Sequence, residues 1–237
     1  MIIFAIKLLL AHVLGDFVLQ PLKGVLDKQK RKHKSPFLYI HVLIHALLVF
    51  TLLQFQWSLW PVVVIIAVTH FFIDLTKLNL DGRVPEPWLF LLDQIAHLAV
   101  IAGLVYAFYS PDLQHGLIEP KYLLLSLGVV STTFAAAILI QILLSKWKVV
   151  EDDPHSSLKN AGKYIGMLER LLIFVFVILQ QWLAIGFLLA AKSVFRFGDL
   201  SRAKDRKLTE YILIGTLLSF GVAVLIGLVC RRILDQW

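Results

Sequence analysis

The sequence predicts an all-α, polytopic transmembrane helix bundle with about seven membrane segments and a metal site in its N-terminal four helices. Of the 237 residues, 59% are hydrophobic and only 16% are charged, which is far more apolar than a soluble domain of this length. Apolar stretches recur along the chain, each close to the length of about 20 residues that crosses a bilayer. Ionisable residues stand in pairs within the first four stretches, and these pairs predict the site.

The apolar stretches define the membrane segments in chain order. The first, at 2–20, carries Lys7 and lacks a small-residue cleavage site, so we expect it to remain in the mature protein rather than act as a signal peptide. Six further segments follow, at 37–55, 58–76, 88–108, 121–145, 171–191 and 209–230. We expect two domains: a four-helix membrane domain with the metal site at 1–115, and C-terminal membrane helices with a basic interfacial segment at 116–237.

Basic residues in the connections predict the orientation of the chain. The loop at 21–36 contains six Lys and Arg residues and one acid, so we expect it in the cytoplasm. Simple alternation then places the basic stretch 192–207 outside, which conflicts with its charge. Because Gln180 and Gln181 interrupt the preceding apolar segment, 165–191 is alternatively a re-entrant hairpin whose two arms both return to the cytoplasm.

Composition excludes two kinds of site. The net charge of +7 is concentrated in loops beside membrane segments, where it sets orientation, so we expect no nucleic-acid partner. The single cysteine, Cys230, excludes an intrachain disulfide and a cysteine-based metal cluster. Any bound metal would therefore have His and carboxylate ligands.

Each of the first four segments carries two potential ligands four residues apart. Residues at this spacing share one face of a helix, so each pair can point into the interior of the bundle. Two such pairs would complete one tetrahedral site. The pairs are His12 and Asp16, His41 and His45, His70 and Asp74, and Asp93 and His97.

The four pairs also lie at one depth. Counted at about 1.5 Å per residue, the nearest member of each pair lies roughly 5 to 10 Å below the cytoplasmic boundary, although successive segments run in opposite directions. So many ionisable groups in apolar helices are too costly to leave unpaired. Polar groups that only hydrogen-bond between helices are the alternative, but Ser, Thr and Asn make such bonds at lower cost.

Three carboxylates and five imidazoles suffice for two metal ions with one bridging Asp. Nitrogen and oxygen ligands suit zinc first, with manganese or iron as alternatives. Because a two-metal site activates water and clamps a phosphoryl or acyl oxygen, we predict a metal-dependent hydrolase that acts at the cytoplasmic leaflet on a lipid head group or a polar ester or phosphate. The first four segments contain no Glu, so the catalytic proton carrier is expected to be Asp16 or Asp93.

Other functions fit the same residues. A divalent metal transporter would also use His and Asp on paired helices, although the outer halves of the segments offer no polar path. A metal-binding membrane protein without catalysis and a di-iron centre that oxidises lipid tails are further alternatives.

Three basic residues of the C-terminal half form a candidate anion site. Arg170, Lys192 and Arg196 could line a pocket for a lipid phosphate or another anion, and the last two share one helix face. Alternatively, these charges at helix ends only set orientation and extend to the interface. The expected partners are membrane lipids and an anionic lipid or small-molecule substrate, while the oligomeric state is not predicted.

A resemblance to a known family rests on the segments that contain the four pairs, LLLAHVLGDFVLQ, HVLIHALL, THFFIDLTK and DQIAHL. They resemble the uncharacterised family called domain of unknown function 3307. The runs GKYIGMLERLLI, AIGFLLAAKSVFRFGDL and TEYILIGTLLSFG resemble its longer members. The resemblance, with the basic loops, implies a bacterial inner membrane but no activity. The front half is also similar in pattern to bacterial membrane-bound metal-dependent hydrolases, which place His and Asp four apart on successive helices.

Overall fold

The computed structural model describes residues 1–108, 118–145, 147, 161–200 and 206–237, without the side chains of 195–200 and 206–208. Within these ranges the chain is helical and has no β-strand, which confirms the predicted all-α class. The structure forms two compact units, Met1–Leu127 and Gly128–Trp237. The predicted domain boundary after residue 115 lies outside the described residues.

The first unit contains five helices and the start of a sixth. Proline occupies the first turn of α3, α4 and α5, where its missing N–H costs nothing. The helices are α1 (Ile2–Val13, continued by a π-helical turn, Leu14–Val18), α2 (Leu22–Arg31, followed by a 3₁₀ turn, Lys32–Lys34), α3 (Pro36–Leu52), α4 (Trp60–Leu80, preceded by a 3₁₀ turn, Trp57–Leu59), α5 (Glu86–Ala107) and α6 (Pro120–Val130).

Several helices have the length and apolarity of membrane spans, which indicates a membrane protein. Four candidate spans lie within the described residues, and α1 together with α2 forms a fifth candidate that is bent by 85°. Two further apolar helices, Pro36–Leu52 and Trp182–Val194, are shorter than a span, so the described residues contain four or five candidate spans where hydropathy predicted about seven. The four spans are Trp57–Leu80, Glu86–Ala107, Pro120–Leu144 and Thr209–Leu234.

The stretch at 21–36 is largely helical, whereas the sequence predicted a loop. The chain turns at Pro21, which has extended backbone and precedes the first residue of α2. Gly24 and Lys28, one helical turn apart, are buried, while Leu22 and Lys30 are exposed. The amphipathic helix α2 therefore packs one face against the bundle, and this places the buried Lys28 close to the other helices.

The apolar core fills one end of the first unit. On α1 and α4 the core residues precede the predicted ligands in sequence, and on α3 and α5 they follow them. Because these helices alternate in direction, the core and the ionisable pairs occupy opposite ends of the bundle. The buried core residues are Phe4, Leu8, Ala11, Val49, Leu53, Leu59, Val62, Ile66, Ile101, Leu104 and Val105.

The second unit contains α7 (Ala136–Leu144), α8 (Ala161–Ile178), α9 (Trp182–Leu200) and α10 (Arg206–Leu234), and a π-helical turn, Ser131–Ala135, joins α6 to α7. The predicted membrane segment at 171–191 is wrong as one continuous helix, because the chain turns at Gln180, whose φ is 59°. Lys192 on α9 donates to Glu169 on α8 at 2.5 Å. Residues far from the turn on both helices thus meet, so α8 and α9 form an antiparallel hairpin, while the re-entrant topology of the alternative stays a prediction.

Arg170 is buried in the second unit and has oxygen acceptors from two directions. Its guanidinium donates to the backbone carbonyls of Thr132 at 2.7 Å and Thr133 at 3.0 Å, and to the hydroxyl of Ser219 at 3.3 Å. Both carbonyls belong to the π-helical turn, where the α-helical hydrogen-bond ladder is interrupted. The guanidinium therefore supplies hydrogen-bond donors to two carbonyls of this turn.

We predict that Arg170→Ala destabilises the second unit. Two carbonyls would each lose the hydrogen bond from the guanidinium, and a buried group left without any partner costs about 1–3 kcal/mol. The measurement is the thermal unfolding midpoint of the purified chain in detergent, with the exposed Arg232→Ala as the matched control. Equal midpoints for the two variants would show that the π-helical turn does not depend on Arg170.

Candidate metal centre

The structure brings all eight residues of the four pairs together inside the first unit. The π-helical turn after α1 carries Asp16, and α1, α3, α4 and α5 carry the other seven. Those seven are buried, and the side chain of Asp16 is 11% exposed. The spacing of four residues therefore does place both members of each pair on the inner face of a helix.

The Nε2 atoms of three histidines surround one oxygen of Asp16. Those of His41 and His45 lie 3.1 and 3.0 Å from Asp16 Oδ1. His70 Nε2 lies 3.5 Å from the same oxygen and 3.1 Å from His41 Nε2. Ligands around a tetrahedral zinc ion are about 3.3 Å apart, because zinc bonds to nitrogen and oxygen are about 2.0–2.2 Å long. These four separations are close to that value. Ligand atoms of His12, Asp16, His45 and His70 all lie within 4.8 Å of one another, as do those of His41, His70 and Asp74.

Hydrogen bonds alone do not account for all the contacts among these imidazoles and Asp16. A neutral imidazole nitrogen carries either a proton or a lone pair, so His41 Nε2 cannot donate to Asp16 and accept from His70 at the same time. A cation at the centre would instead accept the lone pairs of all three imidazoles. The buried His and Asp groups thus have the chemistry of a metal-binding cluster.

Asp16 reaches this cluster from a π-helical turn. Such turns insert one residue into a helix and are frequent at functional sites. The turn also places Gly15 against the cluster, since a Cβ atom at this position would lie only 2.3 Å from His45 Nε2. Any larger residue at position 15 would therefore displace the His45 ring.

A second group lies beside the first. Ligand atoms of Asp74, Asp93 and His97 all lie within 4.8 Å of one another. His97 Nδ1 is 2.9 Å from the carbonyl oxygen of Asp93, so it donates there and leaves a lone pair on Nε2. Metal-binding histidines commonly have this second hydrogen bond. Both His97 Nε2 and Asp93 Oδ1 are buried and have no hydrogen-bond partner among the described residues.

Three residues that sequence reasoning missed hold the carboxylates. Lys28 donates to Asp74 at 2.8 Å, and Lys77 donates to Asp93 at 2.7 Å. The amide of Gln94 lies between two of the pairs: its oxygen is 3.2 Å from His12 Nε2, and its nitrogen donates to Asp93 at 3.1 Å. A signal was available for Lys77, which follows Asp74 by three residues on the same helix face.

The lysines balance only two of the three carboxylates. Within the part of the chain that the structure describes, no Lys or Arg forms an ion pair with Asp16, whose partners are imidazoles and Gln94. A carboxylate in an apolar bundle needs a positive partner. A divalent ion at the point where the imidazoles of His41, His45 and His70 meet Asp16 would supply it.

The structure places the predicted anion-binding residues in the second unit, outside this centre. Arg170 donates to protein oxygens, and Lys192 pairs with Glu169. The side chain of Arg196 lies outside the described residues. Anion binding by these residues stays a prediction.

The sequence comparison identifies one family. A family model described as "Protein of unknown function (DUF3307)" matches residues 4–125, which is just over half of the chain and includes all eight residues of the four pairs. Neither the curated proteins nor the solved structures provide a significant match.

We predict that Gly15→Ala weakens metal binding, because the added methyl group would displace His45. Changes beside a metal ligand typically lower metal affinity by about 10- to 100-fold. Titration of the purified chain with Co²⁺, followed by visible absorption, measures this affinity. Gly103→Ala is the matched control, since a Cβ atom there meets nothing within 4 Å. Equal affinities of the two variants would contradict the position of His45 in the centre.

Proposed function

We propose that this chain, which belongs to the DUF3307 family of proteins of unknown function, is a membrane-embedded, metal-dependent hydrolase. The observation that carries the proposal is that three imidazole nitrogens lie 3.0–3.5 Å from one carboxylate oxygen, Asp16 Oδ1. The proposal assigns the chain the hydrolysis of an ester or phosphate bond at the cytoplasmic leaflet of a bacterial inner membrane.

The first ion would be held by Asp16, His45 and His70, with His12 or His41 as the fourth ligand. Three nitrogen ligands and one oxygen suit zinc, with manganese or iron as alternatives. Four protein ligands fill a tetrahedral shell, which suits an ion that orders the centre and balances the charge of Asp16.

The second ion would be held by Asp74 and His97, beside Asp93. Two protein ligands leave positions open for water and substrate. A divalent ion there would supply Lewis acidity and make a coordinated water easier to deprotonate. The unpartnered His97 Nε2 supports this assignment, because it is a lone-pair donor without an acceptor, and the unpartnered Asp93 Oδ1 is left to take a proton.

Of the two candidate proton carriers, Asp93 fits better than Asp16. The oxygen Asp16 Oδ1 contacts three imidazoles, so it acts as a ligand. Lys77 and Gln94 fix Asp93 through Oδ2, and Oδ1 stays directed into the second group. In the proposed step Asp93 takes a proton from the attacking water, the new oxygen bond forms at the acyl or phosphorus atom, and the leaving oxygen receives that proton as its bond breaks.

The distribution of polar groups favours a hydrolase over a transporter. A transported ion needs a path to both ends of the bundle. Beyond His45 and His70 a small cavity continues between apolar side chains, among them Val49 and Ile66, which offer an ion no polar ligands. The other end carries the basic helix α2, which the distribution of basic loops predicts to be cytoplasmic. A site open at one end suits catalysis at one membrane face.

We predict that replacement of both His41 and His45 by Ala removes the first ion from a folded chain. Elemental analysis of detergent-purified protein by inductively coupled plasma mass spectrometry measures the metal content. The matched control is His33→Ala, since His33 is exposed in the 3₁₀ turn after α2. Metal retained by the double variant at the native level contradicts the ligand set, as does the absence of zinc, manganese and iron from the native chain after incubation with their salts.

We predict that Asp93→Asn lowers kcat by about 10²- to 10⁴-fold, the usual contribution of a general base. The measurement is metal-dependent release of p-nitrophenol from p-nitrophenyl phosphate and p-nitrophenyl butyrate by the purified chain. The exposed Asp235→Asn serves as the matched control. Native turnover by Asp93→Asn would exclude Asp93 as the proton carrier, and a native chain without metal-dependent turnover of either compound would contradict the hydrolase.

A further inference from the structure

A cleft between α2 and α3 connects the surface of the first unit with His41. At its outer end, Leu19 and Ile40 are 44% and 49% exposed. At its inner end, His41 and Lys28 are buried. The cleft therefore runs from the outside of the bundle to a ligand of the first proposed ion.

The two ends of the cleft differ in chemistry. Its walls are apolar and include Phe37, Ile40 and Ile44. Its inner end has a cation, Lys28, whose Nζ donates one hydrogen bond to Asp74 and keeps two further N–H groups. An apolar passage that ends at an ammonium group and a metal centre matches a molecule with an apolar body and an anionic head.

Gly24 allows α2 to approach α3 beside the cleft. A Cβ atom at Gly24 would lie 3.1 Å from the Phe37 ring, which is closer than ordinary contact. The close packing fixes Lys28, one turn further along α2, at the inner end. The cleft is thus formed by the same helix packing that places Lys28 beside Asp74.

The outer end of the cleft lies beside an interfacial surface. Leu22 and Leu26 on α2 are 72% and 56% exposed, and the exposed Lys23 and Lys30 lie on the same helix. A helix with exposed apolar and basic side chains suits the boundary between acyl chains and head groups. Anionic lipids concentrate where such basic side chains meet the membrane surface.

We propose that this cleft admits the phosphate head group of an anionic lipid to the metal centre, and that Lys28 is the cation that receives the phosphate. The proposal rests on the proposed function and narrows its substrate class to lipids with a phosphate monoester head. The apolar walls and the exposed leucines of α2 contact the glycerol and acyl part, which a water-soluble phosphate lacks. The lipid therefore enters sideways, from the bilayer.

Binding of dioctanoyl phosphatidate to the purified, metal-loaded full chain tests the proposal, with inorganic phosphate and dioctanoylglycerol as the other two probes. Isothermal titration calorimetry in a neutral detergent measures the three affinities. We expect the phosphatidate to bind more tightly than either probe, because only this molecule has both parts. Binding no tighter than that of inorganic phosphate, or than that of dioctanoylglycerol, overturns the proposal.

Two variants locate the binding. Ile40→Trp fills the outer end of the cleft, and Leu43→Trp is its control, since Leu43 is a 57% exposed residue of α3 that does not line the cleft. Lys28→Gln removes the receiving cation, and the exposed Lys23→Gln is its control. We expect Lys28→Gln to weaken phosphatidate binding by about 10- to 100-fold, because one charged hydrogen bond is lost. We expect a similar loss for Ile40→Trp, because the indole ring blocks the cleft.

The metal content of Ile40→Trp separates this proposal from the proposed function. We expect native metal content together with weakened phosphatidate binding, because Ile40 is not a ligand. Native phosphatidate affinity in Ile40→Trp and Lys28→Gln overturns the cleft proposal even when the metal centre is present. A native chain without metal contradicts the proposed function by itself, whatever the lipid titrations give.

Discussion

The rest of the first unit depends on one constraint, that three carboxylates stand in apolar helices and each requires a positive partner. Lys77 meets this requirement for Asp93 from a neighbouring helix. For Asp74 the partner is Lys28, which the chain supplies by turning at Pro21 and packing α2 back on the bundle. Among the described residues, Asp16 contacts only imidazoles and an amide, and this difference marks the place where a metal ion could bind.

In the second unit the buried charge is a cation, which requires oxygen acceptors. Arg170 is a buried cation, and its partners are neutral oxygens of a π-helical turn and a hydroxyl group rather than a carboxylate. In each unit a π-helical turn lies beside one buried charged group. In the first unit the turn aims a side chain, Asp16, and in the second it provides carbonyl groups. A π-helical turn thus accompanies one buried charge in each unit, whereas Asp74 and Asp93 lie on regular helices.

The sequence was sufficient for the fold class and for the convergence of the four pairs, because both follow from local spacing. Helical periodicity places residues i and i+4 on one face, and alternation of the segments keeps the pairs level. The role of Lys28 could not be predicted in this way, since its partner Asp74 is 46 positions away and only the packing of α2 joins them. The contact between Gly15 and His45 depends on a π-helical turn, which leaves no periodic signal in sequence. The break at Gln180 was visible, but hydropathy alone could not choose between one span and a hairpin.

Lys28 couples the two proposals through Asp74. In the structure Asp74 has the positive partner that it requires, so Lys28 has a reason to be buried before any ion is bound. A divalent ion held by Asp74 and His97 would take over part of that balance and weaken the pull of Asp74 on the ammonium group. Lys28 would then require a new anion, and the cleft beside it is where one can arrive. The same electrostatic requirement that folds α2 onto the bundle therefore favours metal binding first and the phosphate second, because the phosphate is accommodated only after Asp74 has another cation.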